Sequence, residues 1–190
     1  MKIPSHSRCY TMMRQVGILD HILRHSEQVC RVALLLADEL CAHGRPVNTE
    51  LIGTAALLHD ITKTRSFSTG ENHAQTGKEI LVQMGYPQVG DIVGQHVHLR
   101  GFDPGGPVTE AEVVNYADKR VLHDQIVVLD ERMAYILERY GTRPSYRDRI
   151  QILWDESRQL EQKLFSGLTR QPDDIAACIE DPFGSRIANR

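Results

Sequence analysis

The chain has 190 residues, 41% hydrophobic and 25% charged, with a formal net charge of −3. That length and composition suit one ordinary globular core. They exclude an electrostatic case for general binding to a nucleic-acid polymer, which would show a basic surplus. No stretch approaches the ~18 apolar residues of a membrane span, and Met1-Lys-Ile-Pro-Ser-His lacks the apolar centre of a signal peptide, so the expected compartment is the cytoplasm.

Residues 1–19 are read as an N-terminal helical segment, in which Tyr10, Met13 and Val16–Gly17 pack over the core. From about Asp20 a strong helix begins, with His25, Val29, Val32, Ala33, Leu36, Ala37 and Leu40 at three- and four-residue spacing. Gly44 and Pro46 end it. Asn48 or Thr49 caps the next helix, which runs into the doublet His59-Asp60. Residues 62–72 are polar and rich in turn formers, and they read as a loop. His73 opens another helix with Gly77, Ile80, Leu81 and Met84 on its inner stripe. A short helix follows, carrying Val89, Ile92, Val93 and His96 on one face. Residues 99–108 are too rich in glycine and proline to be regular. Thr109 with Glu112 makes a capping box for a helix whose inner positions include Asp118.

Beyond residue 124 the pattern stays helical: Ile126–Tyr140 first, then a longer helix that Ser145 caps and that runs through Phe165. Residues 166–190 are sparse in apolar groups and read as a loose tail with one turn around Ile175–Ile179. No strand-like alternation occurs, so the fold class is all-α: a single-domain helical bundle, with a core at 20–124 and a helical C-terminal extension at 125–190. The four cysteines, Cys9, Cys30, Cys41 and Cys178, form no Cys-x-x-Cys pair. They read as reduced and structural.

The polar residues on apolar stripes carry the functional information. His25, His59, His73, His96 and Asp118 come from five separate helices, and Asp60 adjoins one of them. One such histidine is most simply a hydrogen-bonded core residue. Five separate buried polar costs of about 1–3 kcal/mol each would tax an average domain heavily, whereas a divalent ion at their meeting point offsets all five together. Imidazoles and carboxylates suit a borderline or hard transition metal. Six ligands suggest two ions, with Asp60 as the bridge because a carboxylate can span two metals. Such a pair, ~3.5–4 Å apart, generates a hydroxide at neutral pH and clamps a phosphoryl group.

With these residues in hand, the chain resembles the HD-domain metal-dependent phosphohydrolases. The matching motifs are Arg24-His25-Ser26-Glu27, His59-Asp60, Asn72-His73-Ala74, Gln95-His96-Val97 and Tyr116-Ala117-Asp118-Lys119, spread over roughly residues 20–124. The resemblance implies one metal on His25, His59, Asp60 and Asp118. His73, His96 and the shared Asp60 would hold a second. His59-Asp60-x-x-Lys63 followed by Asn72-His73-Ala74 is most similar to the branch that hydrolyses diadenosine tetraphosphate symmetrically, typically with two metals and often iron. The paired histidines of the cyclic-di-GMP phosphodiesterase branch are replaced by His96-Val-His98, which argues against that activity.

The resulting expectation is a hydrolase that cleaves a phosphoester or phosphoanhydride bond of a small nucleotide-like substrate by metal-activated hydroxide. Iron, manganese, nickel, cobalt and zinc all suit the ligand set. Asp60 and Lys63 are the catalytic candidates, and Lys63, Arg65, His98 and Arg100 the candidates for substrate contact. Lys119 and Arg120 are placed to reach substrate or to face water. A 5′-nucleotidase with one metal and a non-catalytic helical signalling module are the alternatives. The helices after residue 125 are expected either to cover the pocket or to form a homodimer contact.

Overall fold

A computed structural model describes residues 2–180. The first helix, α1 (His6–Gln15), is capped by Ser5 and buries Cys9, Met12 and Met13. The second, α2 (Asp20–Ala42), buries the predicted stripe from Val29 through Leu40. Against it lies α3 (Thr49–Leu58), capped by the Asn48 side chain and buried at every position from Leu51 to Leu58. A helix apolar all round belongs at the centre of a bundle, and α3 packs against α1, α2, α6 (Pro87–Val93) and α7 (Glu110–Lys119). His59 sits at its C-terminal end, so the doublet is delivered to the middle of the protein.

Residues 63–69, expected within a loop, form a seven-residue helix α4 (Lys63–Thr69) with no buried residue. It therefore leaves no apolar stripe to read. Its hydroxyls bond back to its own carbonyls, Ser66 to Lys63 and Thr69 to Arg65, and Gly70 ends it at φ 69. The next helix, α5 (His73–Gln83), is capped by Asn72, whose side chain accepts from the amides of Ala74 and Gln75. It packs closely on α6. A Cβ at Gly90 would stand 2.8 Å from the Lys78 carbonyl oxygen, so only glycine permits this approach. The Gly85-Tyr86-Pro87 tripeptide makes the α5–α6 turn: Gly85 has φ 85, Tyr86 is the N-cap and Pro87 opens α6.

The short helix ends at Val93, and His96 lies beyond it in a bent segment rather than on its stripe. The predicted capping box of α7 is present in both directions between Thr109 and Glu112. After α7 the chain makes a two-stranded antiparallel ladder, β1 (Val121–Leu122) with β2 (Gln125–Ile126), where no strand was expected. His123 takes φ 58 in its turn. Ile126 consequently belongs to the ladder, and helix α8 starts only at Leu129 (Leu129–Tyr140). Helix α9 (Pro144–Phe165) begins with Pro144 in its first turn and Arg143 as N-cap, in place of a cap at Ser145.

Residues 166–180 are not a loose tail. Leu168 and Ile175 are buried, α10 (Asp174–Glu180) follows, and Arg170 pairs with Glu39 at 2.9 Å. Arg45 on the α2–α3 connection donates to the carbonyls of Lys163, Leu164 and Ser166, satisfying the end of α9. The rest of the expected tail, 181–190, lies outside the described residues. The helices share one core, with Met12, Leu36, Leu40, Ile52, Leu58, Tyr116 and Leu160 at most 1% exposed. Each such side chain contributes about 1.5–3 kcal/mol. Cys9 and Cys30 are buried and free, Cys41 is exposed and free, and Cys178 is free at intermediate exposure. No described helix is long and apolar enough to cross a membrane.

Candidate metal centre

The end of α3 brings His59 and Asp60 beside α2, α5, α7 and the segment after α6, and the six expected ligands meet there. Ring centroids of His25 and His59 are 5.2 Å apart, those of His59 and His96 5.0 Å, and those of His73 and His96 5.0 Å. Asp60 divides its oxygens: Oδ2 lies 3.6 Å from His59 Nε2, while Oδ1 lies 3.2 Å from His73 Nε2 and 3.5 Å from His96 Nε2. Asp118 Oδ1 stands 3.0 Å from His25 Nε2 and 3.6 Å from His59 Nε2.

The backbone decides how these rings are protonated. His59 Nδ1 lies 2.7 Å from the Ala56 carbonyl, His96 Nδ1 2.7 Å from that of Val93, and His25 Nδ1 2.7 Å from that of His123. A carbonyl oxygen only accepts, so each Nδ1 carries its hydrogen and donates it. A neutral ring held this way presents the Nε2 lone pair to the site. Those lone pairs face the carboxylate oxygens of Asp60 and Asp118. Lone pair against lone pair repels unless a cation lies between.

Burial sharpens the point. His59 Nε2 and Asp60 Oδ1 are both buried with no hydrogen-bond partner, an arrangement that costs free energy in a protein interior. Burial works against ionising Asp60, but His59, the neighbouring His73 and His96 rings and the Lys63 charge hold its carboxyl well below the usual range. Asp118 is half-buried; desolvation works against its ionisation, but His25 and His59 hold it well below that range. Burial pushes His96 down, with His59 adding to the effect against Asp60. For His59, burial is outweighed by Asp60 and Asp118, which raise its affinity for a proton. Two fixed negative charges thus draw positive charge into the cluster.

Two overlapping sets of three, His25-His59-Asp118 and His59-Asp60-His96, each bring their ligand atoms within 4.8 Å of one another. The residues present therefore fit a divalent cation by donor type and by orphaned buried atoms.

Residues 22–121 match the family described as HD domain. The chain belongs to the HD-domain family. Over 186 residues it is 27% identical to a tRNA (cytidine(56)-2′-O)-methyltransferase of Picrophilus torridus, covering 91% of this chain and 50% of that protein. This HD-domain chain thus spans about half the length of that relative. It is 28% identical over 157 residues to an uncharacterised protein of Methanocaldococcus jannaschii, covering 76% of this chain and 89% of the other. A crystal structure of a predicted HD superfamily hydrolase from an uncultured Thermotogales bacterium superposes with a TM-score of 0.48 at 18% identity, over 87% of this chain and 94% of that one.

The HD cluster lies at the floor of a cavity of about 620 Å³, with His59 hidden beneath it. Lys63 reaches this floor, its Nζ 3.2 Å from His73 Nε2 and 3.8 Å from Asp60 Oδ1. His98 also lines the cavity. Arg65 and Arg100, expected to contact substrate, do not. The Arg65 guanidinium is bound to Glu71 at 2.6 Å and that of Arg100 to Asp91 at 2.5 Å, both on the outer surface. Neither Lys119 nor Arg120 is exposed, and of the two only Lys119 lines the cavity. Lys119 donates to Asn115 Oδ1 at 2.5 Å, and its burial pushes the ammonium down to about 8. Arg120 holds the Val127 carbonyl, the Tyr116 hydroxyl and the Pro172 carbonyl, a structural role.

Sequence reasoning missed two groups. Asn115, 2% exposed, donates to the carbonyls of Gln95 and His96 and so fixes the irregular segment that presents His96. An asparagine one turn before Asp118 on the same helix was the available signal. The second group is the far wall of the cavity, which α8 and α9 supply through Arg132, Arg139, Tyr140, Tyr146 and Arg149.

Proposed function

We propose that this protein is a metal-dependent phosphohydrolase that cleaves a phosphoester or phosphoanhydride bond in a small nucleotide-like molecule. The observation that carries this reading is the facing of three committed Nε2 lone pairs and the carboxylates of Asp60 and Asp118 across one point. His25, His59, Asp60 and Asp118 would hold one divalent ion, and His73 and His96 a second, with Asp60 shared between them. Two ions are favoured over one because His73 and His96 both approach Asp60 Oδ1, the oxygen turned away from His59. Bound there, the metal supplies a water of lowered pKa and positive charge for phosphoryl oxygens.

The protein groups do the positioning. The carbonyls of Ala56, Val93 and His123 lock the three rings in one tautomer. Asp60 accepts from whatever proton-bearing group enters between the histidines, and so orients a nucleophilic water. Lys63 places a cation beside Asp60 and His73, where negative charge develops on a transferring phosphoryl group. Tyr140, Tyr146, Ile150 and Leu153 give the cavity an apolar, aromatic end suited to a base or sugar. The pairing of His59-Asp60-x-x-Lys63 with Asn72-His73-Ala74 favours the diadenosine tetraphosphate hydrolase branch within the family.

Elemental analysis of freshly purified protein, beside a nucleotide hydrolysis screen with added iron, manganese, cobalt, nickel or zinc, tests the reading. Asp60→Ala should lose both metal and turnover. Lys63→Ala should keep its metal and slow by about 10²-fold or more. Wild-type turnover in Asp60→Ala would refute the assignment.

A further inference from the structure

We propose that the wall opposite the His/Asp cluster is a binding site for a second phosphate group, centred on Arg132 and flanked by Arg139 and Arg149, so that the molecule it selects carries two or more phosphoryl groups. This deepens the hydrolase reading and rests on it for the identity of the scissile group.

Arg132 belongs to α8, outside the residues that match the HD domain. A second cavity of about 200 Å³ meets the first, and His25, Asp60, Lys63, Arg132 and Tyr140 are common to both. Arg132 therefore stands at the junction of the two, over the same floor as Asp60. Its Nε is buried and has no hydrogen-bond partner. The Tyr135 ring lies 6.0 Å from its guanidinium carbon.

None of Arg132, Arg139 and Arg149 forms an ion pair among the described residues, whereas Arg24, Arg65, Arg100 and Arg158 each pair with a carboxylate. The carboxylates on the cavity floor are turned to histidines. Three guanidinium groups thus line one cavity with no carboxylate paired to any of them among the described residues.

A buried N–H left without an acceptor costs free energy that an incoming acceptor recovers. A guanidinium fork matches phosphate oxygens in two parallel hydrogen bonds. The unmet N–H of Arg132 calls for an acceptor of its own, which a second phosphate in the same molecule supplies. The apolar wall from Ile150 and Leu153 takes the organic part of the ligand.

The test titrates the full, metal-loaded chain with methylenediphosphonate and with orthophosphate, by calorimetry, and measures metal content after each titration. Arg132→Gln should weaken methylenediphosphonate binding by about ten- to a hundredfold with metal content retained, and Arg132→Lys should recover part of the loss. Arg149→Gln repeats the test from α9. Arg158→Gln removes the same charge from the same pair of helices outside the cavity and should shift affinity by less than about threefold.

Wild-type affinity in Arg132→Gln and Arg149→Gln, or an equal loss in Arg158→Gln, would overturn the subsite. If no phosphoester is hydrolysed and the Arg132 effect persists, the subsite stands and the catalytic reading falls. Turnover of monophosphates with no Arg132 effect sinks the subsite alone.

Discussion

His25 Nε2 and Asp118 Oδ1 stand 3.0 Å apart, a contact that joins the second helix to the seventh across 93 positions of chain. The His123 carbonyl already takes the Nδ1 hydrogen of that ring, so the contact sets two acceptors against each other. Helices packed through an apolar core position these groups in spite of their repulsion, and a cation relieves it.

Asp118→Asn should therefore weaken metal binding by at least about tenfold, a scale that even outer partners of metal ligands reach. The fold should persist, since Asp118 contributes little to the apolar core. Elemental analysis, with circular dichroism on the same sample, checks both halves of the expectation.

Cation binding should also stabilise the native state. An ion present at 100 times its dissociation constant contributes about 2.7 kcal/mol, which raises the melting temperature by roughly 5–10 °C in a chain of this size. Thermal denaturation with manganese and with chelator should show that gap in the wild type and none in Asp60→Ala. An equal gap in both would place the ion elsewhere.

Lys163 and Glu112 form an ion pair 2.6 Å long, with side chains 5% and 6% exposed. The Lys163 ammonium also holds the Asp103 carbonyl at 2.8 Å. Removing one member of a buried pair strands the other, at a cost of about 3–5 kcal/mol. Lys163→Met should lower the urea midpoint accordingly, and it should loosen α9 and the 99–108 loop together, read as faster amide exchange in both.

Alkaline pH should expose the two buried thiols. Burial pushes Cys9 up from 9.0 to about 11 and Cys30 up to about 12. A raised folded-state pKa means the native protein holds these protons more tightly than the unfolded chain does. Their contribution is full below pH 9.0 and is lost as pH rises through about 11 and about 12. Denaturation midpoints should decline across that window. At pH 8, iodoacetamide should modify exposed Cys41 long before Cys9 or Cys30.

The helical class, the capping residues Asn48 and Thr109, and the meeting of His25, His59, Asp60, His73, His96 and Asp118 were all legible in the sequence. Each depended on local periodicity or on polar residues where apolar ones belong. Helix α4 was not legible, because it buries nothing and so has no stripe. The placement of His96 was misread for a related reason: the helix stops at Val93, and Asn115, remote in sequence, fixes the bent segment that carries the ring. Arg65 and Arg100 were credited with substrate contact from their sequence neighbours, but Glu71 and Asp91 claim them. The arginines that do line the cavity sit on amphipathic helices, where a charged residue reads as solvent-facing until the opposite wall is known.

The division of the cavity between two lengths of chain has a consequence for how such proteins diversify. The His/Asp cluster comes from α2 through α7 and the far wall of the cavity from the α8–α9 hairpin, which is bolted on at Lys163 and at the carbonyls gripped by Arg45. Grafting a foreign hairpin that keeps those two fastenings should change which molecule is accepted while the catalytic floor goes on working unchanged.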